Sequence, residues 1–293
     1  MARIGIDFGK TSRSRTRLMV TIALGLAAAL VVLAALVRVL EPRFAFFPMA
    51  GESVTPHEFG VDYEQVALGT GDGERLRGWS LAGPTTRARI LYFHGNGGNL
   101  SVWAPIVAGV ARRGYAVFAF DYRGYGLSTG RPTEKGMYRD VDAVVERFWR
   151  DSSRGVPVVY WGRSLGVAMA AYAATVRAPD GLILESGFPD ARSLIRTSPL
   201  LAFLAVFSTY RFPCAQFLRR LGGPVPVLVM HGDNDHVVSI THGRALFDAV
   251  EEPKRFVTIP GGDHNDLAPS APDMYWKAVG GFVESLEPAG SDD

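Results

Sequence analysis

The chain has 293 residues, 47% hydrophobic and 20% charged, which suits one large domain or two small ones with ample apolar content for a core. Its net charge of +2 is unevenly spread: seven of the 31 Lys and Arg (Arg3, Lys10, Arg13, Arg15, Arg17, Arg38, Arg43) stand in the first 43 residues beside only Asp7 and Glu41, leaving 24 basic and 27 acidic residues elsewhere. The bulk is mildly acidic and offers no basic face for nucleic acid, and the single cysteine, Cys214, excludes an internal disulfide.

The first element is LMVTIALGLAAALVVLAALV, Leu18 to Val37, 20 residues without a charge. A helix of that length spans about 30 Å, the thickness of a bilayer's hydrocarbon core. A cleavable signal peptide has a shorter apolar region of roughly 7–15 residues, and no small-x-small site follows in VRVLEPRF. Residues 18–40 are therefore expected to be an uncleaved membrane anchor behind a basic N-terminus, 1–17. Arg13, Arg15 and Arg17 crowd the near side of the span, against Arg38 and Arg43 beyond it. That asymmetry predicts a single-pass protein with a cytoplasmic N-terminus and an extracytoplasmic domain. The opening IGIDFGKT looks like the first phosphate loop of actin-like ATPases, but the span begins too soon for the large domain such a loop needs.

EPRFAFFP (41–48) reads as an aromatic-rich interfacial exit from the bilayer. YEQVALGT and ERLRGWSLA then read as two strands joined by the turn GDG. Strands and helices alternate after that. RARILYF (87–93), YAVFAF (115–120), VPVVYW (156–161), GLILES (181–186), VPVLVMH (225–231) and KRFVTIP (254–260) are short apolar strands. The helices fall at 100–113, at 134–150 behind Thr133, at 165–177, at 240–250 and near 270–286. Continuous apolar strands alternating with helices predict a mostly parallel sheet of about eight strands, covered on both faces, with the hairpin as its antiparallel edge. Residues 187–223 interrupt the alternation. They contain the run PLLAFLAVF (199–207), too short to span a membrane, and are read as a helical lid inserted in the domain. The tail, 287–293, reads as disordered.

Two stretches carry the pattern Gly-x-Ser-x-Gly: GLSTG around Ser128 and GRSLG around Ser164. A nucleophile elbow needs a strand, a sharp strained turn, then a helix. Ser164 has VPVVYW before it and a helix directly after it, whereas Ser128 lies between DYRGY and GRP, in a loop. Ser164 is the candidate nucleophile and Ser128 a loop serine bordering the site. A serine needs a base to take its proton and a carboxylate to orient that base, and on such a framework the chain order is Ser, acid, His. His264, in GGDHND after the last strand, is the candidate base. HGDNDHVV offers Asp233 and Asp235 as acids. Asp235 is preferred, because the turn must leave its strand before a side chain can reach His264, and Asp233 is expected to cap that turn. Glu185, ending the preceding strand, is an outside candidate. For the oxyanion, the backbone N–H of Leu165 at the helix start and that of Asn96 in HGNGGN are the expected donors. A nucleotide-phosphate loop is a weak reading of HGNGGN, since no Lys-Ser/Thr follows it.

Taken together, HGNGGN, DYRGYGLSTG, GRSLG, HGDNDHVV and GGDHND resemble the α/β-hydrolase superfamily in order and register, over about residues 44–286. TGDGERLRGW and the N-terminal anchor look like one subgroup, small membrane-anchored serine hydrolases related to acyl-protein thioesterases that remove palmitate. The resemblance implies the α/β-hydrolase fold, the triad Ser164, Asp235 and His264, and neither cofactor nor metal. The function expected is hydrolysis of carboxylic esters or thioesters through an acyl-serine, on a small or lipid-like acylated substrate, with the membrane contacted through residues 18–40. A peptidase using the same triad and a catalytically silent, membrane-tethered binding module are the alternatives. The second has no need of serine, acid and base together.

Overall fold

A computed structural model describes residues 8–82, 86–150, 155–195, 202–203 and 206–286. The N-terminal apolar run lies within helix α1, Phe8–Ala45, longer at both ends than its uncharged stretch. Its segment Thr16–Ala45 is long and apolar enough to cross a membrane. The one polar side chain in the run, Thr21, turns its hydroxyl onto the Arg17 carbonyl at 3.0 Å, so the backbone satisfies it. In the expected interfacial exit, 41–48, the chain passes from helix to strand. Pro42 is carried inside the last turn of α1, and Phe46 N–H still reaches the Pro42 carbonyl at 3.3 Å. Phe47–Pro48 then form a short strand, β1, parallel to Gly97–Gly98 (β5). A two-residue ladder between such distant segments leaves no periodic signal in the sequence.

The remaining strands, β2 (Glu64–Gly69), β3 (Arg75–Leu81), β4 (Ala88–Phe93), β6 (Tyr115–Asp121), β7 (Val158–Arg163), β8 (Gly181–Glu185), β9 (Val227–Gly232) and β10 (Lys254–Ile259), form one eight-stranded sheet in the order β10-β9-β8-β7-β4-β6-β3-β2. From β10 to β6 every pairing is parallel; only β3 runs against its neighbours β2 and β6. The predicted architecture is the observed one, a mostly parallel sheet with an antiparallel hairpin at its edge. The central strands are apolar at consecutive positions because both faces are covered. In β7, Val158 and Tyr160 join the core on one face of the sheet, and Val159 and Trp161 join the core on the other.

Helices α2 (Leu100–Ala111) and α9 (Pro272–Glu284) cover one face. Helices α3 (Glu134–Arg150), α4 (Leu165–Val176) and α7 (Ile240–Asp248) cover the other. In α3, Met137, Val141, Val144 and Phe148 recur at three- and four-residue spacing, one apolar stripe turned to the sheet. The Thr133 hydroxyl receives the Gly136 N–H at 3.1 Å, satisfying one donor of the helix's first turn. A short helix, α8 (Leu267–Ser270), precedes α9. Within the expected lid, the described residues form α5 (Ala191–Ile195) and α6 (Cys214–Leu218). The insertion closes on itself through Ala191 N–H to the Arg211 carbonyl (2.8 Å), and α3 holds it through Glu134, whose carboxylate receives the Arg211 and Phe212 N–H groups. Most of the run 199–207 and the tail 287–293 lie outside the described residues.

Candidate active site

β7 runs buried through the middle of the sheet and ends at Arg163; α4 begins at Leu165. Ser164 alone makes the turn, at φ 53°, ψ −116°, a left-handed region that costs a non-glycine residue roughly 1–3 kcal/mol. The two glycines of GRSLG make that turn possible. A Cβ on Gly162 would lie 2.3 Å from the Gly166 carbonyl oxygen, and one on Gly166 would lie 2.0 Å from that of Phe93. Any side chain there would drive strand, turn and helix apart. The strained turn lifts the Ser164 hydroxyl off the end of the sheet.

The loops after β9 and β10 meet it. His264 Nε2 lies 2.9 Å from Ser164 Oγ, and His264 Nδ1 lies 2.8 Å from Asp235 Oδ2. The Asp235 side chain is fully buried. Burial alone would raise its pKa. Hydrogen bonds from His231, His264 and the Val238 N–H outweigh that and hold the carboxyl well below its ordinary value of 3.8. The Val237 and Val238 N–H groups donate to Oδ1 at 2.9 and 2.7 Å, which fixes the carboxylate and leaves Oδ2 aimed at the imidazole. Asp263 anchors the other loop. Its Oδ1 receives both the His264 N–H (2.6 Å) and the His236 N–H (2.9 Å).

Among the described residues, the Leu165 N–H at the start of α4 has no intrahelical partner, and the Asn96 N–H has none in its loop. The Asn96 side chain is tied on both sides: Nδ2 donates to the Ala45 carbonyl (2.8 Å), and Oδ1 receives the Tyr125 hydroxyl (2.9 Å). Ser164, Leu165, Asn96 and His264 all line one cleft of about 1330 Å³. Nothing among the described residues groups three or more His, Cys, Asp or Glu as a metal site.

The other candidates fall elsewhere. Ser128 is buried, donating to the Asp121 carbonyl (2.7 Å) and receiving the Arg77 N–H (2.9 Å). Asp233 receives the Gly261 N–H at 2.7 Å, so its side chain braces the turn after β10 and not, as expected, the turn after its own strand. Among the described residues Glu185 makes no hydrogen bond or ion pair with His264. It is buried with Trp161 Nε1 and the Tyr275 hydroxyl, each at 3.0 Å, and with Arg163 Nη1 at 3.1 Å. Arg163 is the residue that sequence reasoning passed over. It is buried, and its Nη2 donates to the His264 carbonyl at 2.9 Å. Burial works against its charge, but Glu185, Tyr92 and Tyr275 together outweigh that and raise its pKa. The available signal was a charged residue at the end of a strand apolar at every other position, where only a paired charge is tolerated.

A mostly parallel eight-stranded sheet with a serine on a left-handed turn between a central strand and its helix defines the α/β-hydrolase class. Comparison with known proteins agrees. Residues 88–203 match the family model described as alpha/beta hydrolase fold. An uncharacterised protein of Mycobacterium tuberculosis is 33% identical over 236 residues, 77% of this chain and 81% of that protein. An uncharacterised membrane protein of Saccharomyces cerevisiae is 32% identical over 235 residues, 78% of this chain and 82% of that protein. Alpha/beta hydrolase domain-containing protein 17B of Xenopus laevis is 29% identical over 63% of this chain and 62% of its own length. Among solved structures, a Pyrococcus furiosus esterase superposes with a TM-score of 0.66 at 18% identity, covering 82% of this chain and 98% of the esterase. The chain belongs to the α/β-hydrolase superfamily.

Proposed function

We propose that the protein is a serine hydrolase that cleaves carboxylic ester or thioester bonds through an acyl-serine intermediate. The reading rests on one observation, the hydrogen-bonded series Ser164–His264–Asp235 with spacings of 2.9 and 2.8 Å. In the first half-reaction Ser164 Oγ attacks the acyl carbonyl carbon and its proton passes to His264 Nε2. Asp235 holds the imidazole by Nδ1 and stabilises the imidazolium. The Leu165 and Asn96 N–H groups donate to the tetrahedral oxyanion. Collapse expels the alcohol or thiol, which leaves with the proton from His264. Water then repeats the sequence on the acyl-serine, releasing the acid and restoring Ser164. The mainly apolar cleft favours an acyl group over the peptide of an amidase, whose backbone N–H and C=O groups would lose water without gaining partners. The names of the Pyrococcus furiosus esterase and of similar solved structures support the same class of reaction.

The proposal includes a location. Arg13, Arg15 and Arg17 precede the apolar span, so the N-terminus is placed in the cytoplasm and the hydrolase domain across the membrane. A reporter fused after Asp293 is expected to be active only outside the cytoplasm; a cytoplasmic reporter reverses the topology. For the chemistry, a fluorophosphonate probe reacts with a serine whose proton is withdrawn and whose oxyanion is held. Stoichiometric labelling of the wild type, with hydrolysis of p-nitrophenyl acetate, is expected. An unlabelled, inactive wild type that is folded rejects the reading.

A further inference from the structure

The anchor helix takes part in the site. Leu33, Leu36, Val37, Leu40 and Phe44 of α1 line the cleft that holds Ser164 and His264. At 3.6 residues per turn these five share one face of the helix. On this face Leu33, Val37 and Leu40 are partly buried, while Leu36 and Phe44, 52% and 73% exposed, stand at its open rim; Val31, 69% exposed, is on the opposite face, and Val39, 73% exposed, lies to the side and outside the cleft lining. Leu33, Leu36 and Val37 also belong to the uncharged run 18–37. The apolar lining of the cleft is therefore continuous with the segment that the hydrocarbon core of a membrane would cover.

Contacts on both sides hold α1 in this place. At its last residue the Ala45 carbonyl receives Asn96 Nδ2, in the loop that carries an oxyanion donor. One turn earlier the Glu41 carboxylate receives the Ser208 hydroxyl, the Thr209 hydroxyl (2.8 Å), and the Thr209 and Tyr210 N–H groups (3.0 and 3.3 Å), all from the inserted segment. Phe46, just past the helix, is buried against Tyr210 and Phe212, with ring centroids 5.2 and 6.2 Å away. A helix that served only as a tether would need none of these bonds.

We infer that the last turns of α1 are one wall of a channel for the acyl chain. The substrate is an ester or thioester whose long apolar acyl chain lies in the same bilayer and enters between α1 and the insertion. The inference deepens the hydrolase reading and rests on it. From Leu33 to Phe44 the helix rises about 17 Å, a wall that a short acyl group does not use and a long one does. Each methylene buried along it raises kcat/KM about fourfold.

The test uses the full chain in detergent micelles and a series of p-nitrophenyl esters from acetate to palmitate. Leu40→Trp and Val37→Trp fill the channel; Val31→Trp and Val39→Trp make the same change outside the cleft lining. All four keep the span apolar, so insertion is preserved. In the wild type, kcat/KM is expected to climb with chain length. Leu40→Trp and Val37→Trp are expected to lower the palmitate-to-acetate ratio of kcat/KM tenfold or more, while Val31→Trp and Val39→Trp keep it within twofold. Leu40→Ala removes contact without crowding the fold and is expected to lower the ratio about fivefold, so the idea stays testable if a tryptophan variant misfolds. A ratio unchanged in the wall variants, or an equal fall in all four tryptophan variants, overturns the channel. Probe labelling with a flat chain-length profile removes the channel and leaves the hydrolase; loss of labelling in the wild type removes the hydrolase reading itself.

Discussion

GRSLG (162–166) and GLSTG (126–130) share one pattern, and the chain spends its glycines differently in each. In the first, added Cβ atoms would strike backbone, the carbonyls of Gly166 and Phe93. There the glycines let a strand, a turn and a helix pack closer than any side chain allows. In the second, Gly126 and Gly130 have φ of +54° and +91°, and added Cβ atoms would strike the carboxylates of Asp121 and Glu74. These glycines bend a loop. The serines follow suit. The Ser164 hydroxyl meets His264 and faces a cleft, whereas both hydrogen-bonding roles of the Ser128 hydroxyl are taken by backbone. Five residues of pattern thus carry no chemistry by themselves; the elements on either side decide what the serine can do.

The sharpest way to break this comparison is to exchange the two serines for alanine. Ser164→Ala is expected to lower kcat for ester hydrolysis by about 10⁶, to background, and to abolish fluorophosphonate labelling. Ser128→Ala is expected to keep labelling and kcat within a few-fold of wild type. Activity surviving in Ser164→Ala would reverse the assignment. The carboxylates give the next largest contrast. Asp235→Asn is expected to cost about 10⁴ in kcat, because Oδ2 no longer fixes the imidazole's tautomer. Asp233→Asn touches only the Gly261 N–H and is expected to cost less than tenfold. The opposite ranking sinks the acid.

The sheet was legible because strands buried on both faces read as unbroken apolar runs, and helices with one buried face read at three- and four-residue spacing. The preference for Asp235 over Asp233 followed from how far a turn must travel after its strand. What escaped was long-range and polar. Arg163 finds its carboxylate on the neighbouring strand and its second partner at His264, about a hundred residues away, and neither pairing leaves a local trace. The helix end at Ala45 meets Asn96 across 51 positions, and Glu41 meets Tyr210 across 169. For that reason the apolar run was legible as a span and not as part of a pocket wall.

Asp235 also bears on acid stability. The folded pKa of Asp235 lies below its ordinary value of 3.8, so near and below that pH the unfolded chain binds the proton more readily than the native one. The stability this carboxylate contributes is complete above about pH 3.8 and is lost as pH falls through the folded value. Asp235→Asn cannot titrate. Thermal midpoints of wild type and Asp235→Asn are expected to differ at neutral pH and to converge as the pH is lowered from 5 to 2. Parallel curves would show that the carboxylate gains nothing from its partners in the fold.

The smallest expected effect completes the comparison by inverting it. Ser128 is buried, and its hydroxyl satisfies the Arg77 N–H and the Asp121 carbonyl, which join the loop to β3 and β6. Ser128→Ala leaves both groups without that partner in a site closed to water. The cost is about 1–3 kcal/mol for an unsatisfied buried donor, partly relieved if the loop shifts to admit water. Ser164→Ala removes a hydroxyl that faces a cleft where water can solvate His264 in its place, so its stability is expected to stay within about 0.5 kcal/mol of wild type. Urea denaturation of the two variants should therefore rank them opposite to their activities, with Ser128→Ala active and less stable and Ser164→Ala inert and near wild-type stability. If Ser128→Ala is as stable as wild type, then its two hydrogen bonds hold nothing that the loop's own turns do not, and the structural role given to the second serine is wrong.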